Sequence, residues 1–179
     1  MLGQGRYLTL VDEGGWEYTI RAHVAGIVVI VAITDDDHVV LVEQYRPAVH
    51  NWVVEMPAGL VGDTEAFAGE SFADAAGREL TEETGYAARE VVPLAEGPIA
   101  VGTSDEIISF FHARGLTRVG PGGGVDAEQI TTHTVPLREL QRFLAERRAA
   151  GRLVDPKVYA GLFLVGVSAA GAVGATVPR

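Results

Sequence analysis

The stretch Gly26-Ile27-Val28-Val29-Ile30-Val31-Ala32-Ile33-Thr34 narrows the architecture of this chain more than any other. It is uncharged and mostly β-branched, which reads as a strand buried on both faces rather than one half exposed. Asp35-Asp36-Asp37 is then a polar turn, and Val39 to Tyr45 returns as a second strand. The acidic triplet lacks the later glycine and glutamate of an EF-hand loop, so a solvated turn is the better reading. Upstream, Tyr7 to Val11 and Trp16 to Ile20 flank Asp12-Glu13-Gly14-Gly15, a hairpin with a glycine turn. Trp52 to Met56 is a short strand ending at Pro57-Ala58-Gly59, and further strands are predicted near Val91 to Leu94, Ile107 to Ala113 and Ile130 to Val135. Helices are predicted over about 71–84, 137–149 and 156–167. Strands, hairpins and interspersed helices together indicate an α+β chain, a mixed α/β sandwich rather than a doubly wound sheet.

A length of 179 residues suits one domain with little room for a second. With 47% hydrophobic and 21% charged residues, the composition is that of a soluble globular protein. The absence of cysteine excludes disulfides, thiolate zinc sites and a cysteine nucleophile. The N-terminus lacks the basic start and apolar stretch of a secretory signal, so a cytoplasmic location is expected. A net charge of −10, with no run of Lys and Arg, argues against a nucleic-acid partner. No charge lies between Lys157 and Arg179, but Gly161, Gly166, Gly171, Gly174 and many alanines dilute that stretch. A packed helix followed by a loose tail is expected there, and no membrane partner.

The informative segment is 70–86. Ser71 with Asp74 makes a capping box, Gly85 supplies a left-handed stop, and Phe72, Ala76 and Leu80 recur at core spacing. Glu79, Glu82 and Glu83 stand at i, i+3 and i+4, so one helix face carries three carboxylates that repel one another. Arg78 can offset one. A hard divalent cation offsets the rest, Mg²⁺ typically taking one or two carboxylates plus phosphate oxygens. Charge runs are usually solvated faces, but here the spacing is decisive. Glu70, seven residues, Arg78-Glu79-Leu80, one residue, Glu82-Glu83, one residue, Gly85-Tyr86 would arise by chance on the order of once in 10⁵ chains of this size.

That spacing resembles the distal part of the Nudix box. In the usual box the first glycine stands six positions before the first glutamate, which here is Thr64; the nearest candidate is Gly59, so the box is five residues longer. Val61 to Gly69 reads as a surface insertion, which loops tolerate cheaply. Glu43-Gln44-Tyr45-Arg46-Pro47, Glu55-Met56-Pro57-Ala58-Gly59, Gly102-Thr103-Ser104-Asp105-Glu106 and Asp155-Pro156-Lys157 resemble the ADP-ribose pyrophosphatase branch. That branch often has Ser-Pro-Gly where this chain has Ala100-Val101-Gly102.

The resemblance implies a Nudix-type α/β/α sandwich with a mixed sheet and an N-terminal antiparallel hairpin. It divides the chain into an extension (1–22) for dimerisation and substrate contact, the Nudix hydrolase domain (23–170) and a flexible tail (171–179). It implies Mg²⁺, with Mn²⁺ as an alternative, held by Glu79 and Glu83 with the backbone carbonyl of Ala58. Glu82 would bind metal or water while pairing with Arg78, and Glu106 would be a further ligand or the general base. Trp16, Glu17 and Arg21 would hold the adenine end of the substrate, with Arg46 and Glu55 as further substrate contacts. Relatives of this branch are homodimers whose N-terminal strands join the partner's site. The implied substrate is a nucleotide sugar, first of all ADP-ribose. Another nucleoside diphosphate sugar or dinucleotide is the alternative, and a non-catalytic ligand-sensing module a third reading.

The five histidines show no metal-ligand spacing. Gly120-Pro121-Gly122-Gly123-Gly124 lacks the Lys-Ser or Lys-Thr of a phosphate-binding loop and reads as a flexible connection only.

Overall fold

The computed structural model describes residues 1–125 and 128–167. Its N-terminal part is a three-stranded antiparallel sheet of β1 (Gly3–Gln4), β2 (Leu8–Glu13) and β3 (Trp16–Arg21). The predicted hairpin turn is there: Gly14 and Gly15 take φ of 64° and 90°, and the Gly15 amide donates to Asp12 Oδ1 at 2.7 Å.

The main sheet is built around β4 (Gly26–Ile33), which runs parallel to β9 (Ile107–Arg118) and antiparallel to its other two neighbours. Its last two residues pair with β5 (His38–Arg46), while Gly26 to Val29 pair with β7 (Ala58–Val61). The remaining strands are β6 (Asn51–Glu55), β8 (Tyr86–Pro98), β10 (Thr131–Pro136) and β11 (Leu153–Val154). Among the described residues three α-helices cover the sheet: α1 (Phe72–Thr84), α2 (Leu140–Ala149) and α3 (Pro156–Leu164).

Val28 to Ala32 are fully buried, and their alternation shows why. Val29 and Val31 enter one core with Met56, Leu140, Leu144, Val158 and Leu162, on the side of α2 and α3. Val28, Ile30 and Ala32 enter a second with Ala76, Leu80 and Phe111, on the side of α1. Successive side chains of a strand point to opposite faces, so a continuous apolar run needs a layer on each side. The predicted α/β/α sandwich is the observed one.

Several boundaries differ from expectation. The strand predicted near Val91 to Leu94 is only the middle of β8, which pairs with β9 almost end to end around a bulge between Pro93 and Ala95. The strand β7 was not predicted, because it is short, follows Pro57 and contains Gly59. The helix predicted over 137–149 opens with a 3₁₀ turn, and the one predicted to 167 ends at Leu164. Among the described residues no helix is long and apolar enough to cross a membrane. The expected tail over 171–179 lies outside the described residues.

Candidate functional site

Helix α1 presents the carboxylates, and local chemistry sets its ends. Ser71 caps it, its Oγ accepting from the Asp74 amide at 3.1 Å while its hydroxyl donates to Asp74 Oδ2 at 2.7 Å. Gly85, at φ 74°, closes it in the left-handed conformation that glycine adopts without penalty. Ala75, Ala76 and Leu80 are buried in the core; Glu79 and Glu83 follow them at i+3 and i+4 spacing on the same packed side, Glu83 5% exposed, while Arg78 and Glu82 stand beside that face.

Glu79 lies against the backbone of β7 at Gly59. A Cβ on Gly59 would stand 1.9 Å from Glu79 Cδ, so only glycine leaves room for the carboxylate. Glu83 Oε2 accepts from the Ala58 amide at 3.1 Å. Burial pushes the Glu83 carboxyl up to about 8; the Ala58 amide works against this, and the charges of Glu79 and Glu128 add to it. Burial also raises Glu79, against the pull of Arg78. Arg78 Nη1 donates to Glu79 Oε1 at 2.8 Å and to Glu82 Oε2 at 3.0 Å. Its Nε and Nη2 grip Glu70 at 3.2 and 2.9 Å, and this pairing lowers the Glu70 carboxyl.

The glycine-rich segment after β9 is not the loose connection predicted. The amides of Gly123 and Gly124 donate to the carbonyls of Glu83 and Glu82 at 2.9 and 3.0 Å, and Val119 donates to Gly85 O at 2.8 Å. A helix leaves its last carbonyls without partners; here a second backbone supplies them. The approach is so close that a Cβ on Gly122 would stand 2.4 Å from Thr84 C. The same loop brings Glu128 near enough for its charge to act on Glu83. Glycine richness was the available signal for this packing, but composition alone does not distinguish close approach from looseness. Glu128 carried no signal.

The other predicted residues divide into three groups. Arg46 makes a bidentate pair with Glu55 at 2.6 and 2.7 Å, Glu55 being buried, and its charge acts on Glu83 as well. Glu43, from the same motif as Arg46, is buried elsewhere, against His133, Arg147 and Arg152. Arg21 donates from Nε to Glu106 Oε1 at 2.5 Å, so these two predicted residues hold each other. The loop of Glu106 is stitched to β3, Thr19 N donating to Thr103 O at 2.9 Å and Asp105 N to Thr19 O at 3.2 Å. Trp16 and Glu17 stand apart at the far end of β3, exposed, opposite Glu13 and Asp12. Five residues of strand put Trp16 roughly 17 Å from Arg21. Three surface cavities of about 330, 310 and 480 Å³ are lined by other residues and hold none of the box carboxylates.

Glu79, Glu82, Glu83 and the Ala58 carbonyl form a set of hard oxygen donors, the kind Mg²⁺ takes. Among the described residues no three carboxylates or imidazoles already converge on one point, since Glu79 and Glu82 are turned onto Arg78. The set nevertheless fits a cation. The glycine cradle at Gly59 leaves the Glu79 carboxylate its place, and the burial that raises Glu83 is what a nearby divalent charge would relieve.

An α/β/α sandwich bearing this helix against a glycine-containing strand is the arrangement of the Nudix domain, and the chain belongs to that family, whose model matches residues 24–154. Its relatives include proteins of the expected branch. One is an ADP-ribose pyrophosphatase of Mycobacterium tuberculosis, 34% identical over 141 residues that cover 78% of this chain and 64% of that protein. Another is a methanol dehydrogenase activator of Bacillus methanolicus, 34% identical over 124 residues covering 69% of this chain and 64% of that one. The match thus spans just under two thirds of each relative's length. A crystal structure of an ADP compounds hydrolase superposes with a TM-score of 0.68 over 92% of this chain and 87% of that one, at 24% identity, which speaks to the fold.

Proposed function

We propose that this chain is a divalent-metal-dependent pyrophosphohydrolase whose substrate is ADP-ribose, cleaved to AMP and ribose 5-phosphate, with Mg²⁺ as the working ion and Mn²⁺ able to replace it. The observation that carries this reading is the Glu79, Glu82 and Glu83 set on one helix, with Glu79 packed on Gly59 and the buried Glu83 accepting from the Ala58 amide. Glu79, Glu83 and the Ala58 carbonyl would hold the ion, with Glu82 and Glu106 as further ligands. When bound, Mg²⁺ would polarise the diphosphate, make a coordinated water more acidic and stabilise the leaving phosphate. Glu106, whose carboxylate accepts from Arg21 Nε, would serve either as that further ligand or as the base that takes the proton of the attacking water. As the new P–O bond forms, the P–O–P bridge breaks and its electron pair leaves with the departing phosphate. Arg78 pairs with both Glu79 and Glu82 through Nη1 and offsets their mutual repulsion. Arg46, paired with Glu55 and near enough for its charge to act on Glu83, would meet a phosphate of the substrate.

Trp16 and Glu17 stand along β3 from Arg21, Trp16 on the opposite face of the strand, and we assign them to the site of a second copy. The proposed assembly is a homodimer through the extension 1–22, which would cover Tyr7 and Trp16, 60% and 62% exposed here. Domain limits of 23–170 and a cytoplasmic location complete the reading. That separation also favours a second reading, in which the same chemistry serves another nucleoside diphosphate sugar or a dinucleotide.

Purified protein with Mg²⁺, tested against a panel of such compounds, decides between them. ADP-ribose is expected to exceed every other substrate in kcat/KM by about tenfold or more, the discrimination a few specific contacts supply. Equal turnover of another nucleotide sugar ends the substrate assignment and leaves the hydrolase; full activity in Glu83→Gln ends the metal assignment.

A further inference from the structure

The residues that lengthen the box are folded onto its arginine. Between Gly59 and Glu70 the chain forms a 3₁₀ turn at Glu65–Phe67, closed by Phe67 N to Thr64 O at 3.1 Å and Glu70 N to Phe67 O at 3.0 Å. The Gly62 amide donates to Glu70 Oε1 at 3.1 Å, so the insertion and the first box glutamate are tied together. This fold sets the Phe67 ring beneath Arg78, with the guanidinium carbon 4.2 Å from the ring centroid.

The edge of Arg78 is already full. A guanidinium has five N–H donors in a planar fork. Here Nη1 serves Glu79 and Glu82, Nη2 serves Glu70 and the Leu60 carbonyl at 3.1 Å, and Nε serves Glu70. Only the flat faces are left for further contact, and Phe67 takes one of them. The partners then divide by what a metal would do to them. Glu79 and Glu82 are the carboxylates that must turn from Arg78 to an ion. Glu70, Leu60 O and Phe67 remain.

We propose that Phe67 is a positioning residue for the metal site: by holding the face of Arg78, it lets the guanidinium release Glu79 and Glu82 to the cation instead of following them. The inference rests on the reading of Glu79, Glu82 and Glu83 as the metal-binding face. Without the ring, Arg78 is fastened by Glu70 and Leu60 at one side only, and it competes with the ion for the same two carboxylates. The lengthened loop therefore acts on the site through Phe67.

The test is Mn²⁺ titration of wild type, Phe67→Leu and Phe67→Tyr, reading free Mn²⁺ by electron paramagnetic resonance, with circular dichroism and thermal melting to confirm folding. Leucine keeps an apolar plug and loses the aromatic face; tyrosine keeps the face. Phe67→Leu is expected to weaken Mn²⁺ binding roughly fivefold, within the range of a partly buried cation–π contact. It should raise the Mg²⁺ requirement of hydrolysis by a similar factor while leaving the substrate KM at saturating Mg²⁺ unchanged, and Phe67→Tyr should behave as wild type. If Phe67→Leu binds Mn²⁺ as wild type does, or Phe67→Tyr is weakened equally, Phe67 is packing and the proposal is overturned with the metal reading intact. If wild type itself binds no Mn²⁺, the metal reading fails and the proposal with it.

Discussion

A single methyl group at position 59 separates folding from chemistry. Adding Cβ to Gly59 places it 1.9 Å from Glu79 Cδ, and Glu79, the end of a flexible side chain, is what must move. Gly59→Ala is therefore expected to melt within a few degrees of wild type while hydrolysis falls about a hundredfold, the cost of a displacement on the order of 1 Å. A melting curve with parallel kinetics checks this. His112 makes a second prediction at the same scale. Burial, then the neighbouring Arg114, pushes its imidazole down to about 4, with Glu90 opposing, and Arg89, Asp35 and Asp37 line the cavity beside it. An unfolded histidine titrates near 6.5, so between that pH and about 4 the unfolded chain binds a proton that the folded chain refuses. The stability from this group is whole above pH 6.5 and is lost as pH falls through that window. The melting temperature of His112→Gln should fall less steeply from pH 7 to pH 4.5 than that of wild type.

At the scale of elements, helix α1 was legible because everything that makes it is local: the Ser71 cap, the core spacing and the Gly85 stop are a few residues apart. Its C-terminal partner was not. The amides that satisfy Glu82 and Glu83 come from Gly124 and Gly123, some forty residues on, and glycine-rich composition suits a loose loop and a close approach equally. The difference can be measured. Gly122 has φ 69° and no space for Cβ against Thr84, so Gly122→Ala should lower unfolding free energy by at least about 2 kcal/mol, read from urea midpoints. Phe67 was read as part of a tolerated insertion for the same reason. Nothing in Val61 to Gly69 announces that the turn folds back onto Arg78.

For the whole molecule, the prediction concerns ligand linkage. An ion that binds only the folded state stabilises by about 2.7 kcal/mol at a hundred times its Kd, which for a chain of this size is a rise of roughly 5–10 °C in Tm. Mg²⁺ or Mn²⁺ should produce that rise in wild type and little of it in Glu83→Gln, measured by differential scanning fluorimetry. An equal rise in both would remove Glu83 from the metal set.

The sequence alone determined the sandwich and the acidic helix face, because strand alternation, helix spacing and caps are set by neighbours along the chain. Tertiary structure alone decided that Arg21 meets Glu106 across 85 residues and that the lengthened loop packs on Arg78. Those contacts depend on how far and in which direction the chain returns on itself, a property of the packed layers that no local pattern encodes.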